Sequence, residues 1–165
     1  MCSNQTRIRA LTAAWFILGL SGMPQFATAA PPSDACALLS QPQLATTLGV
    51  EVDAGRHIIG AGDCRWTQPG KAGADVVVLQ VNLTTAHAFE TARTQMSGWN
   101  KTHETGIGDD AYTVENGKVT FLVSPTLSVK KGSVFFAIFA KIPKASLEQT
   151  KALEKAIALR VLEKL

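Results

Sequence analysis

The chain has 165 residues, 46% hydrophobic and 18% charged, a composition that excludes a disordered or collagen-like chain and fits one globular domain. Its formal charge of +3 falls to nearly zero once Arg7 and Arg9, in a leader without acidic residues, are set aside. Such a chain has neither the basic footprint of a nucleic-acid binder nor a polybasic run for anionic lipid.

Residues 1–29 read as a secretory signal. Arg7 and Arg9 supply the basic start, Leu11 to Leu20 the apolar stretch, and Pro24 breaks it. Ala27-Thr28-Ala29 then places small residues at −3 and −1, so cleavage after Ala29 is expected. A bilayer-spanning helix needs about 20 apolar residues, roughly twice this run, so no stable membrane anchor is expected after cleavage. The product is a single exported domain, residues 30–165, periplasmic or secreted. Cys2 leaves with the signal. Cys36 and Cys64 remain, and an even count in an exported chain predicts a structural disulfide. Closing the roughly 29-residue loop stabilises by about 3–4 kcal/mol on the chain-entropy model.

Ser33 can cap a first helical turn, Asp34 to Leu39, which holds Cys36. Ser40 and Gln43 form a capping box with Pro42 in the first turn, Leu39 and Leu44 make a hydrophobic staple, and Gly49 ends the helix. Ile58-Ile59 is a short strand candidate. Cys64-Arg65-Trp66-Thr67 alternates, which puts Cys64 and Trp66 on one face. In Asp75 to Leu83, Val77, Leu79, Val81 and Leu83 face one way and Gln80 and Asn82 the other. Ala86 to Trp99 carries Phe89, Ala92, Met96 and Trp99 at helical spacing.

A polar loop is expected over Asn100 to Asp110. Tyr112 and Val114 are expected to face Val119, Phe121 and Val123 across the hairpin turn Asn116-Gly117. Leu127 to Lys130 should pair with Ser133 to Ile142, whose apolar character on both faces predicts a central strand. Ser146 and Gln149 cap a last helix, Leu147 to about Glu163, burying Leu153, Ile157 and Val161. The fold class is α+β: a single-domain sandwich with a largely antiparallel sheet of six or seven strands and packed helices.

An ordered set of motifs can now be named. DACALLSQPQLATTLG at 34–49 is followed by Cys64-x-Trp66, by GIGDDAY at 106–112, and by LSVKKGSVFFAIF. The set resembles small exported proteins and lipoproteins of bacteria that carry domains of unknown function, with a Cys-x-Leu-Leu segment, a later Cys-x-Trp and a Gly-hydrophobic-Gly-Asp-x-Ala-aromatic turn. The chain departs from the lipoprotein members in lacking a lipobox cysteine. The resemblance implies an extracytoplasmic ligand-binding or accessory domain and brings no catalytic residues.

The densest polar cluster is His103, Glu104, Asp109 and Asp110. Carboxylates and an imidazole there could serve acid–base or metal chemistry. The same stretch also reads as turn chemistry: Gly106 and Gly108 permit positive φ, and Asp109 can bond nearby backbone. Trp66 and Trp99 could line a pocket for an apolar ligand or a sugar, or pack in the core. His57 and His87 are isolated. No G-x-S-x-G elbow or P-loop is present. The expected function is therefore an exported, non-enzymatic binding or accessory domain. It would use no cofactor or metal and would take an envelope protein or small apolar ligand as partner, without nucleic acid. The alternative is a small hydrolase or metal-dependent enzyme using the His103–Asp110 loop.

Overall fold

A computed structural model describes residues 33–73, 77–95, 98–115 and 124–165. The expected signal, and the Asn116-Gly117 turn with Val119, Phe121 and Val123, lie outside these residues. The described chain opens with a single 3-10 turn, Ala35–Ala37. Its cap is Asp34 rather than Ser33: the carboxylate accepts the Cys36 N–H at 2.8 Å. Helix α1, Gln41–Leu48, has both halves of the Ser40/Gln43 capping box and ends where Gly49 turns left-handed at φ 69°.

Strand β1 is Asp63–Thr67, β2 is Val78–Thr85, and helix α2, Ala86–Gln95, follows directly. Then come β3, Asn100–His103; β4, Asp110–Glu115; β5, Thr126–Lys131; and β6, Val134–Lys141. Helix α3, Leu147–Leu162, has a second complete capping box from Ser146 and Gln149. The six strands form one sheet in the order β1-β2-β6-β5-β4-β3, with every neighbouring pair antiparallel. β6 lies inside the sheet, as its two apolar faces require.

Strand alternation sorts the side chains into two layers. One face collects Cys64, Trp66, Leu79, Val81, Leu127, Val129, Phe136 and Ile138. Ala35, Leu38 and Leu44 from the N-terminal segment and Ile157, Ala158 and Val161 from α3 complete this core. On the other face α2 lays Phe89 against Tyr112, Val114 and Phe135. The Phe89 ring is 5.0 Å from Tyr112 and 5.5 Å, edge-on, from Phe135, in the range where aromatic pairs attract beyond their buried area. The sheet is thus covered on both faces.

The Cys36–Cys64 disulfide forms, with Cα atoms 5.0 Å apart, and pins the 3-10 turn to β1. Among the described residues no helix is long and apolar enough to cross a membrane.

Several elements differ from their sequence reading. Ile58-Ile59 is no strand: the backbone bends there and Ile59 is 90% exposed. The neighbouring Arg56 makes an isolated bridge to Arg65. Asn100–His103 is an edge strand, not a loop. All four of its residues are exposed, so it has no buried face to impose alternation on the sequence. Both edges of β4 are thereby taken, Tyr112 lying opposite His103 on one side and Ser128 on the other. Trp99 lies beyond α2, in the bend before β3. On α3 Leu153 is only half-buried, while Glu154 is fully buried beside Ile157 and Val161.

Candidate functional site

The stretch from His103 to Asp110 joins β3 to β4. Its turn needs two glycines with positive φ, Gly106 at 76° and Gly108 at 63°. Gly108 is also a close approach: a Cβ there would lie 2.5 Å from the Lys130 carbonyl oxygen and 2.7 Å from Val129. Between them Ile107 drops into the main core.

The carboxylates of this stretch are held by bonds to the fold. Glu104 is buried; one oxygen accepts from the Thr113 hydroxyl at 2.8 Å and the other pairs with Lys155 of α3 at 2.6 Å. Burial pushes its carboxyl upward, but the bonds from Lys155 and Thr113 more than offset this, and the net shift is downward. Asp109 accepts from the Gly132 N–H at 2.7 Å and from Lys131 at 2.8 Å. The backbone bond from Gly132, then that from Lys131, holds its carboxyl below the usual range. Asp109 thus ties this loop to the β5–β6 turn.

His103 and Asp110 are brought together. Asp110 and Tyr112 share a strand face, and His103 lies opposite Tyr112, so the imidazole Nε2 reaches Asp110 at 3.3 Å. Arg93 of α2 approaches the same carboxylate at 3.6 Å and pairs with Glu90 at 2.6 Å. A carboxylate can orient an imidazole for proton transfer, but such a pair needs a nucleophile or a held water. Among the described residues no hydroxyl or thiol hydrogen-bonds His103, whose side chain is 69% exposed.

The tryptophans are not brought together. Trp66 is buried on β1, where a Cβ at Gly55 would lie 2.7 Å from its indole. Trp99 is 38% exposed ahead of β3, at the opposite end of the strand order. A cleft of about 470 Å³ lies elsewhere, where β6 turns into α3, lined by Pro143, Lys144, Ala145, Gln149, Ala152 and Leu153.

Two polar features escaped the sequence reading. On the outer face of β1 and β2, Arg65 donates to Gln80 at 2.7 Å and Gln80 donates to Asp63 at 2.8 Å. Strand alternation over residues 63, 65, 80 and 82 would have placed these side chains on one face. The second is Glu154, fully buried on α3, where Oε1 accepts the Ala140 N–H at 3.0 Å and Oε2 has no partner among the described residues. No protein-family model, curated protein or solved structure matches the chain.

Proposed function

We propose that the chain is an exported binding or accessory domain working outside the cytoplasm, without a catalytic role of its own. One observation carries the reading: the carboxylates of the loop most suited to chemistry, Glu104 and Asp109, are committed to Thr113, Lys155, Lys131 and Gly132. Carboxylates so held fasten a turn between strands and helix. The Cys36–Cys64 disulfide supports an oxidising compartment, and the Arg7 to Ala29 signal pattern supports the route there. The motif resemblance to exported bacterial proteins points the same way. The partner is an envelope protein or a small apolar ligand, for which the cleft lined by Pro143, Ala152 and Leu153 is the first place to look.

A thermal-shift screen of the oxidised protein with zinc, calcium and manganese tests this. The expected result is no shift, with His103→Ala and Asp110→Ala each changing stability by at most about 0.5 kcal/mol. A ligand specific to the native state would stabilise by about 2.7 kcal/mol at a hundredfold excess over its dissociation constant. A saturable metal shift abolished by His103→Ala would replace this reading with a metal-dependent enzyme or small hydrolase at the His103–Asp110 pair.

A further inference from the structure

A separate set of ligating side chains surrounds the disulfide. His57 lies in the segment between α1 and β1. Its Nδ1 is 2.9 Å from the Asp63 carbonyl oxygen and 3.6 Å from Cys36 Sγ, and its Nε2 is 3.5 Å from Oδ1 of Asp34. One ligand atom from each of Asp34, Cys36 and His57 lies within 4.8 Å of the others. The backbone holding them is fixed at several points. Ala35 N–H bonds the Ala61 carbonyl at 2.8 Å, Cys36 N–H bonds Asp34, and Asp63 begins β1. The cluster is open to solvent, the Asp34 and His57 side chains being 50% and 42% exposed. Cys64, the other half of the disulfide, is wholly buried.

We propose that the Cys36–Cys64 disulfide masks a thiolate–imidazole–carboxylate site for zinc(II) or a similar borderline divalent cation, formed by Asp34, Cys36 and His57 and opened by reduction. The donor set selects this class of ion, since thiolate and imidazole favour zinc over calcium or magnesium. A carbonyl oxygen only accepts, so the bond to Asp63 puts the proton of the neutral ring on Nδ1 and the lone pair on Nε2, the side of Asp34. Metal-bound histidines are oriented by such a bond from the other ring nitrogen. Metal–ligand bonds of about 2.0–2.2 Å in a tetrahedron place a nitrogen and an oxygen roughly 3.4 Å apart, and Nε2 and Oδ1 stand at 3.5 Å. The remaining motion is that of the sulfur. Once free of Cys64 it turns about the Cys36 Cα–Cβ bond toward the other two ligands. Three protein ligands and one water complete the shell.

The opening step balances with a dithiol as reductant. One thiolate of the dithiol attacks the partly exposed Cys36 sulfur, and Cys64 departs and takes up a proton in the core. The second thiolate then expels Cys36 and closes the dithiol to its own disulfide. Two electrons pass from dithiol to protein, and Cys36 gives its electron pair to the metal as a thiolate. While the disulfide stands, only His57 and Asp34 offer ligands. The site is therefore closed under the oxidising conditions of the metal screen above, and the two proposals fail separately.

Cobalt(II) is the probe, used on the full chain carrying Cys2→Ser so that Cys36 and Cys64 are its only cysteines. After reduction by dithiothreitol and anaerobic desalting, a sulfur-to-cobalt charge-transfer band should appear at one equivalent and yield to zinc. The oxidised chain should show none. Cys64→Ala should show the band without reduction, and Cys36→Ala, reduced, should not. His57→Ala should weaken metal binding by the reduced chain at least tenfold. The proposal is overturned by a reduced chain without the band, by a band indifferent to His57→Ala, or by equal affinity before and after reduction. Loss of the far-UV spectrum on reduction also overturns it, because the fold must hold the three ligands. If Cys64→Ala does not fold, the reduced chain decides.

Discussion

Replacing Glu154 by Gln should stabilise the protein, by an amount set by pH. The carboxyl is fully buried on α3 and burial pushes its pKa from 4.5 to about 9, although the Ala140 N–H and nearby Lys151 both act to lower it. Ala140 has a reason to need this acceptor. β5 begins at Thr126 opposite Phe139, so at Ala140 β6 runs past the start of its neighbour and the Ala140 N–H donates to the Glu154 carboxyl instead. In the unfolded chain Glu154 ionises above about pH 4.5, whereas the folded chain keeps it protonated until about pH 9. Stability therefore declines as pH rises between these values, by up to about 1.36 kcal/mol per pH unit. At pH 7 the accumulated cost is roughly 3 kcal/mol. Gln keeps the Oε1 acceptor and cannot ionise. Urea unfolding of both proteins at pH 4.5, 7 and 8.5 should give near-equal stabilities at the lowest pH and a Gln advantage of about 3 kcal/mol at pH 7, growing further at 8.5. A difference that does not change with pH would refute the reasoning.

Gly108→Ala should destabilise by about 2–3 kcal/mol, because it combines positive φ with a clash against the Lys130 carbonyl, whereas Gly106→Ala should cost about 1 kcal/mol from φ alone; equal costs in denaturant titrations would remove the close approach from the account. Gly55→Ala should cost about 1–3 kcal/mol, since its Cβ would meet Cys64 Sγ and the Trp66 indole at 2.7 Å, and an unchanged thermal midpoint would contradict that packing. Lys155→Met should weaken the fold by about 1–3 kcal/mol at neutral pH by leaving a Glu104 oxygen unpaired. Glu104 is held below its usual 4.5, so its contribution is present above that pH and lost as pH falls through the folded value; the variant should flatten this acid limb, and an unaltered limb would count against the ion pair.

The parts of the fold that follow from local chemistry were legible. Both capping boxes, the central place of the Val134–Lys141 strand and the alternation of Cys64 with Trp66 each rest on neighbouring residues or on a buried face with a regular period. What escaped depends on tertiary position. Asn100–His103 pairs through its backbone and buries no side chain, so polar residues there look like a loop. Ile58-Ile59 looks like a strand because aliphatic pairs usually are, yet the chain bends away from β1 at that point. Glu154 sits among Lys151, Lys155 and Glu163 in sequence and reads as solvated. Only the outrun end of β6 gives it a reason to be inside. In the His103–Asp110 stretch the glycine turn was readable, as was the chance that Asp109 bonds backbone. The partners Gly132 and Lys155 lie in elements far along the chain, and no spacing within the loop reveals them.

The most direct test of the central reading is a native mass spectrum of the protein recovered from outside the cytoplasm of an expressing bacterium. The account predicts a chain beginning at Ala30 or Pro31, lighter by two hydrogens for the Cys36–Cys64 bond, free of metal and able to retain a peptide or an apolar small molecule. A chain still beginning at Met1, with both cysteines as free thiols or with a metal held by the oxidised protein, would contradict it.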